Sequence, residues 1–297
     1  MRKELLSFAL LFFLLLASLV RLDRFFLKEN DGFCFHNISG RVPAHVQRYI
    51  DQTSLSPSGW EKISSQKFCY LTRGHQSYVF LSEDGNYVLK FYRFPSHLRA
   101  FSQISHPLSY QFNKKRQEIK TYNLQKLADS FQSFSLAHQE LKQETGLVMV
   151  HLQTDDGSLE RRVQIQDKLG VNYSVELGKL PFILQRRAKL IFPYLDELCK
   201  MQKKEEIKTA VTKIVNLIAD RMKKGIVDSD AILEKNYGWL DDHPIHIDIG
   251  RFSRDESAKF RAREEAEKIT APLRSWLESH APDLLPHYDH TLQHLSS

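Results

Sequence analysis

Residues 87–92 read Tyr87-Val88-Leu89-Lys90-Phe91-Tyr92, one lysine set among aromatic and aliphatic side chains. They follow Leu71-Thr72-Arg73-Gly74-His75-Gln76-Ser77-Tyr78-Val79-Phe80 and a turn at Glu83-Asp84-Gly85-Asn86. Two β-rich runs about a Gly/Asn turn predict a hairpin. Strand alternation puts Val88, Lys90 and Tyr92 on one face and Leu89 and Phe91 on the other. An ammonium on an apolar face needs an anionic partner, although a lysine read alone on a strand most simply snorkels to solvent.

Carboxylates that would serve Lys90 lie far downstream. The order there is Lys224-Gly225-Ile226-Val227-Asp228-Ser229-Asp230, then Asn236-Tyr237-Gly238-Trp239-Leu240, a turn at Asp241-Asp242-His243-Pro244, and Ile245-His246-Ile247-Asp248-Ile249-Gly250. It reads as a helix end, an acidic loop, an asparagine, a hairpin and an aspartate. Asp248 closes an apolar strand and a glycine follows two residues later, which suits a carboxylate that holds a divalent cation. Asn236 adds a neutral oxygen just before the paired strand. Singly, each is read more simply as a turn or cap residue.

Around these segments, short β-rich runs dominate residues 67–185, interrupted by a helical pattern over about 113–134 with Ile119, Tyr122, Leu127, Phe131 and Phe134 on one face. Beyond Gln185 the pattern turns helical. Ile207, Val211, Ile214, Val215, Ile218 and Met222 keep the 3.6-residue period until Gly225 stops the helix. The expected class is α+β, with a strand-rich half preceding a helix-rich half.

Taken together, residues 65–255 resemble the protein-kinase-like fold, including its aminoglycoside-phosphotransferase-like branch. Gly74, Ser77 and Val79 fit the register of the glycine-loop pattern, with Thr72 in place of its first glycine and Ser77 in place of its third. Val88 and Lys90 match the small apolar residue and the strand lysine, and the resemblance assigns Lys90 to the α- and β-phosphates of ATP. It implies Glu118 as the helical glutamate that pairs with Lys90, and the strand Phe182 to Gln185 as the entry to the hinge beside adenine. Asp248-Ile249-Gly250 stands where kinases have Asp-Phe-Gly, and Asn236 matches the catalytic-loop asparagine; both would hold Mg2+. The catalytic aspartate of the family lies five positions before that asparagine, where this chain has Ala231. Asp230, six before, is the first choice for the role and Asp228, eight before, the second. Only 49 residues follow Asp248 and none form an Ala-Pro-Glu sequence, which leaves little room for an activation segment and a full substrate platform. A conventional Ser/Thr or Tyr protein kinase is not expected.

The resemblance implies a bilobal arrangement: an antiparallel N-lobe with one long helix over residues 65–187 and a short helical C-lobe over 188–297. Before it, residues 29–64 carry Asn-Asp-Gly, Ser-Gly and Ser-Pro-Ser-Gly and read as a tether with one short helix near residues 44–52. Residues 1–28 read as a membrane anchor or signal segment. Leu5 to Val20 is uncharged and flanked by Arg2-Lys3 and Arg21. Sixteen residues span about 24 Å of helix, short of a ~30 Å hydrocarbon core unless Leu22, Phe25 and Phe26 extend the run. The small-x-small cleavage pattern is poor, which favours an uncleaved, single-pass transmembrane anchor over a removed signal. Basic residues on both sides leave the orientation open.

The 297 residues carry a net charge of +6, and half of it belongs to residues 1–28, where five bases face two acids. Elsewhere bases alternate with acids, as in Lys203-Lys204-Glu205-Glu206, so a nucleic-acid-binding face is not expected. The three cysteines, Cys34, Cys69 and Cys199, give no scaffold and no metal motif, with a single Cys34–Cys69 bridge open in an oxidising compartment. His287, His290 and His294 read as a frayed polar C-terminus. No Gly-x-Ser-x-Gly, His-Glu-x-x-His or Walker-type phosphate loop occurs, which removes serine hydrolase, zinc protease and P-loop ATPase readings. Three functions stay open: a membrane-anchored ATP/Mg-dependent phosphotransferase, a nucleotide-binding pseudokinase acting as a tethered scaffold, and a structural protein in which Lys90, Glu118 and Asp248 form only an ionic network.

Overall fold

A computed structural model describes residues 2–40, 42, 52–53, 57–95, 110–152 and 162–295. The chain opens with α1 (Arg2–Glu29), a turn of helix α2 (Phe35–Ile38), β1 (Gln52–Thr53) and α3 (Pro57–Ser64). It continues through β2 (Lys67–Arg73), β3 (Ser77–Ser82), β4 (Tyr87–Tyr92), α4 (Tyr110–Glu140), α5 (Lys142–Thr145), β5 (Leu147–His151), β6 (Arg162–Gln166), β7 (Asn172–Glu176) and β8 (Phe182–Arg186). These strands form one sheet in the order β1-β5-β8-β4-β3-β2-β6-β7, antiparallel throughout except for the β2–β6 pair. The expected hairpin is β3–β4, with Val79 opposite Lys90 and Gly85 at φ +72° in its turn. A side chain at that φ is strained, so the turn selects glycine.

Alternation on β4 behaves as anticipated. Leu89 and Phe91 enter a core with Phe68, Phe80, Phe182 and Leu184 beneath the sheet, and Phe80 meets Phe91 edge-on at 5.8 Å. The opposite face packs on α4 through Tyr92, Phe131, Phe134 and Ile183, and the same cluster takes in Ile226, Ile249 and Phe252 from the C-terminal half. α4 therefore glues the sheet to the segment that carries Asp248. Of the five residues expected on one face, Leu127, Phe131 and Phe134 are buried, whereas Ile119 and Tyr122 are exposed, because the first turns of α4 run past the core.

Residues 30–40 and 57–64 are built into the sheet domain instead of hanging as a tether. Phe33, Ile38, Trp60 and Ile63 are core residues. Asn30 donates to Asp167 Oδ2 at 2.8 Å, Arg73 donates to the Asp31 carbonyl at 2.7 Å, and Tyr78 donates to the Gly32 carbonyl at 2.6 Å. The turn-rich composition misled because Phe33, Ile38 and Trp60 are too widely spaced to show a period, yet each fills a place under the sheet. The short helix expected near 44–52 lies outside the described residues. The Cys34–Cys69 bridge that the sequence leaves open is not formed; both thiols are free.

The C-terminal half runs β9 (Lys189–Leu190), α6 (Ile191–Lys200), α7 (Lys204–Lys223), β10 (Ile226–Asp228), α8 (Leu233–Asn236), β11 (Tyr237–Leu240), β12 (His243–His246), β13 (Phe252–Arg254), α9 (Ala262–Ile269), α10 (Ala271–His280) and α11 (Leu285–Gln293). All six periodic residues of α7 are buried, five of them in the cluster shared with α6, α10 and α11 and Met222 against Ala258 and Ala262, and Gly225 follows at φ +67°. α11 is docked through Tyr288 and Leu292, and His287 Nε2 lies 2.8 Å from Thr212 Oγ1, so this terminus is packed where fraying was expected. The arrangement is of the mixed α+β class expected from the sequence.

Among the described residues no helix is long and apolar enough to cross a membrane. α1 is continuous over 28 residues, but past Leu10 its apolar run meets Arg21, Asp23 and Arg24, and the transmembrane span expected of it has no support here.

Candidate active site

A cleft of about 910 Å³ opens between the sheet and the helical half. Gly74, Ser77, Val79, Val88 and Lys90 line its roof, residues 186–190 its back edge, and Asn236, Asp248 and Ile249 its floor. Seven of the residues singled out from sequence thus share one cavity. The roof is a tight turn, closed by Gly74 N–H donating to the Ser77 carbonyl at 2.9 Å. β2 carries a bulge between Tyr70 and Thr72 just before that turn.

Lys90 Nζ donates to the Ile247 carbonyl at 2.7 Å, next to Asp248. Desolvation lowers its pKa, and the negative charge of Asp248 acts against the shift. Asp248 is the carboxylate whose charge acts on Lys90. Glu118 is not: it is exposed on α4, away from the cleft lining. The part of α4 that faces the cleft presents Phe131 and Phe134, and Ser133 fixes the floor by donating to the Ile249 carbonyl at 2.5 Å and accepting from Phe252 N–H at 2.6 Å. Placement along the helix was the only signal for Glu118; it lies on the stretch of α4 where Ile119 and Tyr122 are exposed as well, short of the buried turns that reach the cleft.

Gln185 also leaves the cleft. Its Nε2 donates to the carbonyls of Thr145 (2.5 Å) and His246 (3.1 Å), stapling β8 to α5 and β12. The hinge-side wall is instead supplied by Arg186, Arg187, Ala188, Lys189 and Leu190.

The two alternative aspartates differ in environment. Asp228 is 8% exposed, and burial pushes its pKa up to about 6; Arg221 and the Asp230 N–H oppose that rise, while the charges of Asp248 and Asp230 add to it. Asp230 is solvent-exposed and held at both backbone ends: its N–H donates to Asp228 Oδ1 at 3.0 Å, and its carbonyl accepts from Asn236 Nδ2 at 2.5 Å. Asp228 is buried within the loop and Asp230 faces solvent, and neither is among the residues that line the cleft.

Beneath this loop sits Arg221, only 1% exposed, which sequence reading missed because it occupies an apolar stripe of α7. Its Nη1 donates to the Ile226 carbonyl at 3.0 Å and its guanidinium lies 5.8 Å from the Phe252 ring. His246 is fully buried nearby, and burial, reinforced by the charge of Arg221, holds its pKa well below the usual range.

The donor chemistry suits a hard cation. Asp248 supplies a carboxylate, and Asn236, also in the lining, commits its amide nitrogen to the Asp230 carbonyl and keeps its amide oxygen as an acceptor. No group of three or more His, Cys, Asp or Glu among the described residues could hold a metal, so a cation here would rest on Asp248 and neutral oxygens.

No family model and no curated protein match this chain. Among solved structures, the bifunctional kinase-methyltransferase WbdD is similar at 12% identity and TM-score 0.31, covering 73% of this chain and 43% of that one. The ROP18 kinase domain in complex with AMP-PNP and sucrose is similar at 15% identity and TM-score 0.30, covering 62% and 51%. Rv3197 from Mycobacterium tuberculosis, in complex with erythromycin, is similar at 12% identity and TM-score 0.28, covering 72% and 55%. The chain thus spans about half the length of each. These likenesses to kinase structures are remote.

Proposed function

We propose that this chain is a kinase-like phosphotransferase that binds ATP with magnesium in the cleft and is attached to a membrane by α1. The observation that carries the reading is the facing of Lys90 and Asp248 across one cavity, with the Gly74–Ser77 turn above and Asn236 below. Asn236 and Asp248 would hold magnesium, which would supply positive charge against that of the phosphates. Lys90 would pair with the α- and β-phosphates, and Asp230 would accept the acceptor's proton. Leu190, Val79 and Val88 offer apolar contact for a base beside the hinge.

The test is thermal stabilisation of the full chain by ATP with and without magnesium, followed by ATP turnover. Lys90→Ala and Asp248→Ala should abolish the magnesium-dependent shift. No such shift in wild type overturns the reading. A second reading, a nucleotide-binding pseudokinase scaffold, is favoured by the outward placement of Glu118, which leaves Lys90 without a helical carboxylate. Binding without turnover, indifferent to Asp230→Ala, would select it.

Membrane attachment is supported by the apolar side chains that α1 leaves uncovered, among them Phe8 (78% exposed), Leu11 (68%) and Phe13 (66%). Flotation of the full chain with phosphatidylcholine vesicles should be lost when Leu11, Phe13 and Leu16 are replaced by serine. Unchanged flotation would overturn this part.

A further inference from the structure

The cleft carries more positive charge than a bound nucleotide would use. Its lining holds the bases Arg73, Lys90, Arg186, Arg187, Lys189 and Lys235 against one carboxylate, Asp248. Four of these bases are engaged. Lys90 donates to the Ile247 carbonyl and Arg73 to the Asp31 carbonyl, while Arg186 pairs with Asp241 and Lys189 with Glu197. Arg187 and Lys235 are exposed, and among the described residues neither side chain has an ion pair or a hydrogen bond.

The fold sets these two on neighbouring segments. β9 and β11 pair antiparallel with Gly238 opposite Leu190, and a Cβ at Gly238 would lie 2.7 Å from Ala188 Cβ and 2.9 Å from the Lys189 carbonyl. Glycine allows that approach. The residues that follow Arg187 are thus pressed against those that follow Lys235. Arg187 reaches the hairpin end of the cleft, its Nη1 3.6 Å from where a Gly85 Cβ would stand, and Lys235 stands on the floor immediately before Asn236. In the ATP reading the phosphates belong with Lys90 and the cation, and the base and ribose toward the hinge are uncharged. Two unengaged cations remain over. A positive edge draws anions and turns cations away, so an amino-sugar acceptor, for which the aminoglycoside-phosphotransferase-like branch is named, would be repelled.

We propose that the phosphate acceptor is itself an anion, a hydroxyl compound that bears its own phosphate or carboxylate, with Lys235 as the contact for that group and Arg187 adding to the attracting field. The proposal rests on the ATP/Mg reading and names the class of its second substrate. In the transfer, the acceptor oxygen bonds to the γ-phosphorus as the bond from that phosphorus to the β,γ-bridging oxygen breaks. ADP keeps that electron pair, and the hydroxyl proton goes to Asp230 in the role given above.

The probe is inorganic phosphate, titrated calorimetrically into the full chain saturated with AMP-PNP and Mg2+. Wild type should bind it. Lys235→Gln should weaken phosphate roughly tenfold and Arg187→Gln about threefold, with AMP-PNP affinity unchanged in both. A second arm reads the source of the anion, by flotation with phosphatidylcholine vesicles with and without phosphatidylinositol 4-phosphate. A preference for the phosphoinositide vesicles that Lys235→Gln removes supports a lipid-borne acceptor; equal flotation on both, with free phosphate bound, supports a soluble one. No phosphate binding to the AMP-PNP complex, or binding indifferent to Lys235→Gln, overturns the proposal and leaves the nucleotide reading intact. A loss of AMP-PNP affinity in Lys235→Gln as large as the loss of phosphate overturns it too, because Lys235 then serves the nucleotide. A wild-type chain that binds no AMP-PNP fails the underlying reading, and the proposal with it.

Discussion

On the sheet side of the cleft, Lys90 stands on a strand whose other face presses Leu89 and Phe91 into the core with Phe80 and Phe182. On the opposite side, Asp228, Asp230 and Asn236 sit on short segments between α7 and β11 that Ile226 and Leu233 anchor in the core. Between those anchors the polar residues are held by hydrogen bonds among themselves and lie near the buried charge of Arg221. One wall is thus fixed by packing alone and the other by packing together with polar groups out of water. Packing responds to volume and scarcely to pH; buried charge responds strongly to both pH and partner loss. Substitutions that attack each wall by its own mechanism should separate them.

The largest effect belongs to the packed wall. Phe91→Ala removes a fully buried ring beside Phe80 and should cost about 3–5 kcal/mol in urea unfolding, with little change between pH 5 and pH 8. A cost under about 1 kcal/mol would mean that the roof is not held by this core.

Next comes the charge under the floor. Arg221→Met keeps the volume but leaves Asp228 buried without its cation, and should cost about 3 kcal/mol at pH 8. The cost should shrink near pH 4.5, where Asp228 is protonated. An equal loss at both pH values would show that Arg221 matters only for packing.

Asp228 itself gives a pH signature. Its folded pKa, raised to about 6, lies above the unfolded value, so between roughly pH 4 and pH 6 the folded chain holds a proton that the unfolded chain has released. Stability from this group therefore falls as pH rises through that window, by about 2–3 kcal/mol in all. Comparing wild type with Asp228→Asn by chemical denaturation from pH 4 to pH 8 should show wild type losing ground as pH rises. A flat difference would place Asp228 in water.

The same contrast explains what could be read without coordinates. The Lys90 hairpin and α7 were legible because alternation and the 3.6-residue period are local, and the side chains they bury lie in the run that shows the pattern. Lys90 and Asp248 could be named from motif order, and both line the cleft. Glu118 and Gln185 lie outside the cleft, which sequence does not show because where α4 meets the core, and the stapling of β8 to Thr145 and His246, are long-range facts. Arg221 and Lys235 were invisible for a related reason. An arginine in an apolar stripe and a lysine in a short polar segment look ordinary until the fold brings Asp228 to one and the cleft to the other.

The smallest effect lies where the two walls are joined at the hinge. Arg186, at the end of β8, donates through Nη1 and Nη2 to both carboxylate oxygens of Asp241 at 2.6 and 3.1 Å, and Asp241 occupies the β11–β12 turn at φ +51°. The geometry is bidentate, yet both side chains are about half exposed, so solvent screens most of the attraction. Asp241→Asn should cost under about 1 kcal/mol, and less still at 0.5 M salt as the Debye length shortens. Asparagine tolerates the left-handed backbone as well as aspartate does, so the measurement isolates the ion pair from turn strain. The more telling readout is nucleotide binding, since Arg186 lines the cleft. If the packed wall and the polar wall move as separate bodies about this hinge, the variant should change the temperature dependence of ATP affinity more than it changes unfolding. Unchanged affinity at every temperature would mean that the α4 cluster, not the hinge pair, sets how the walls meet.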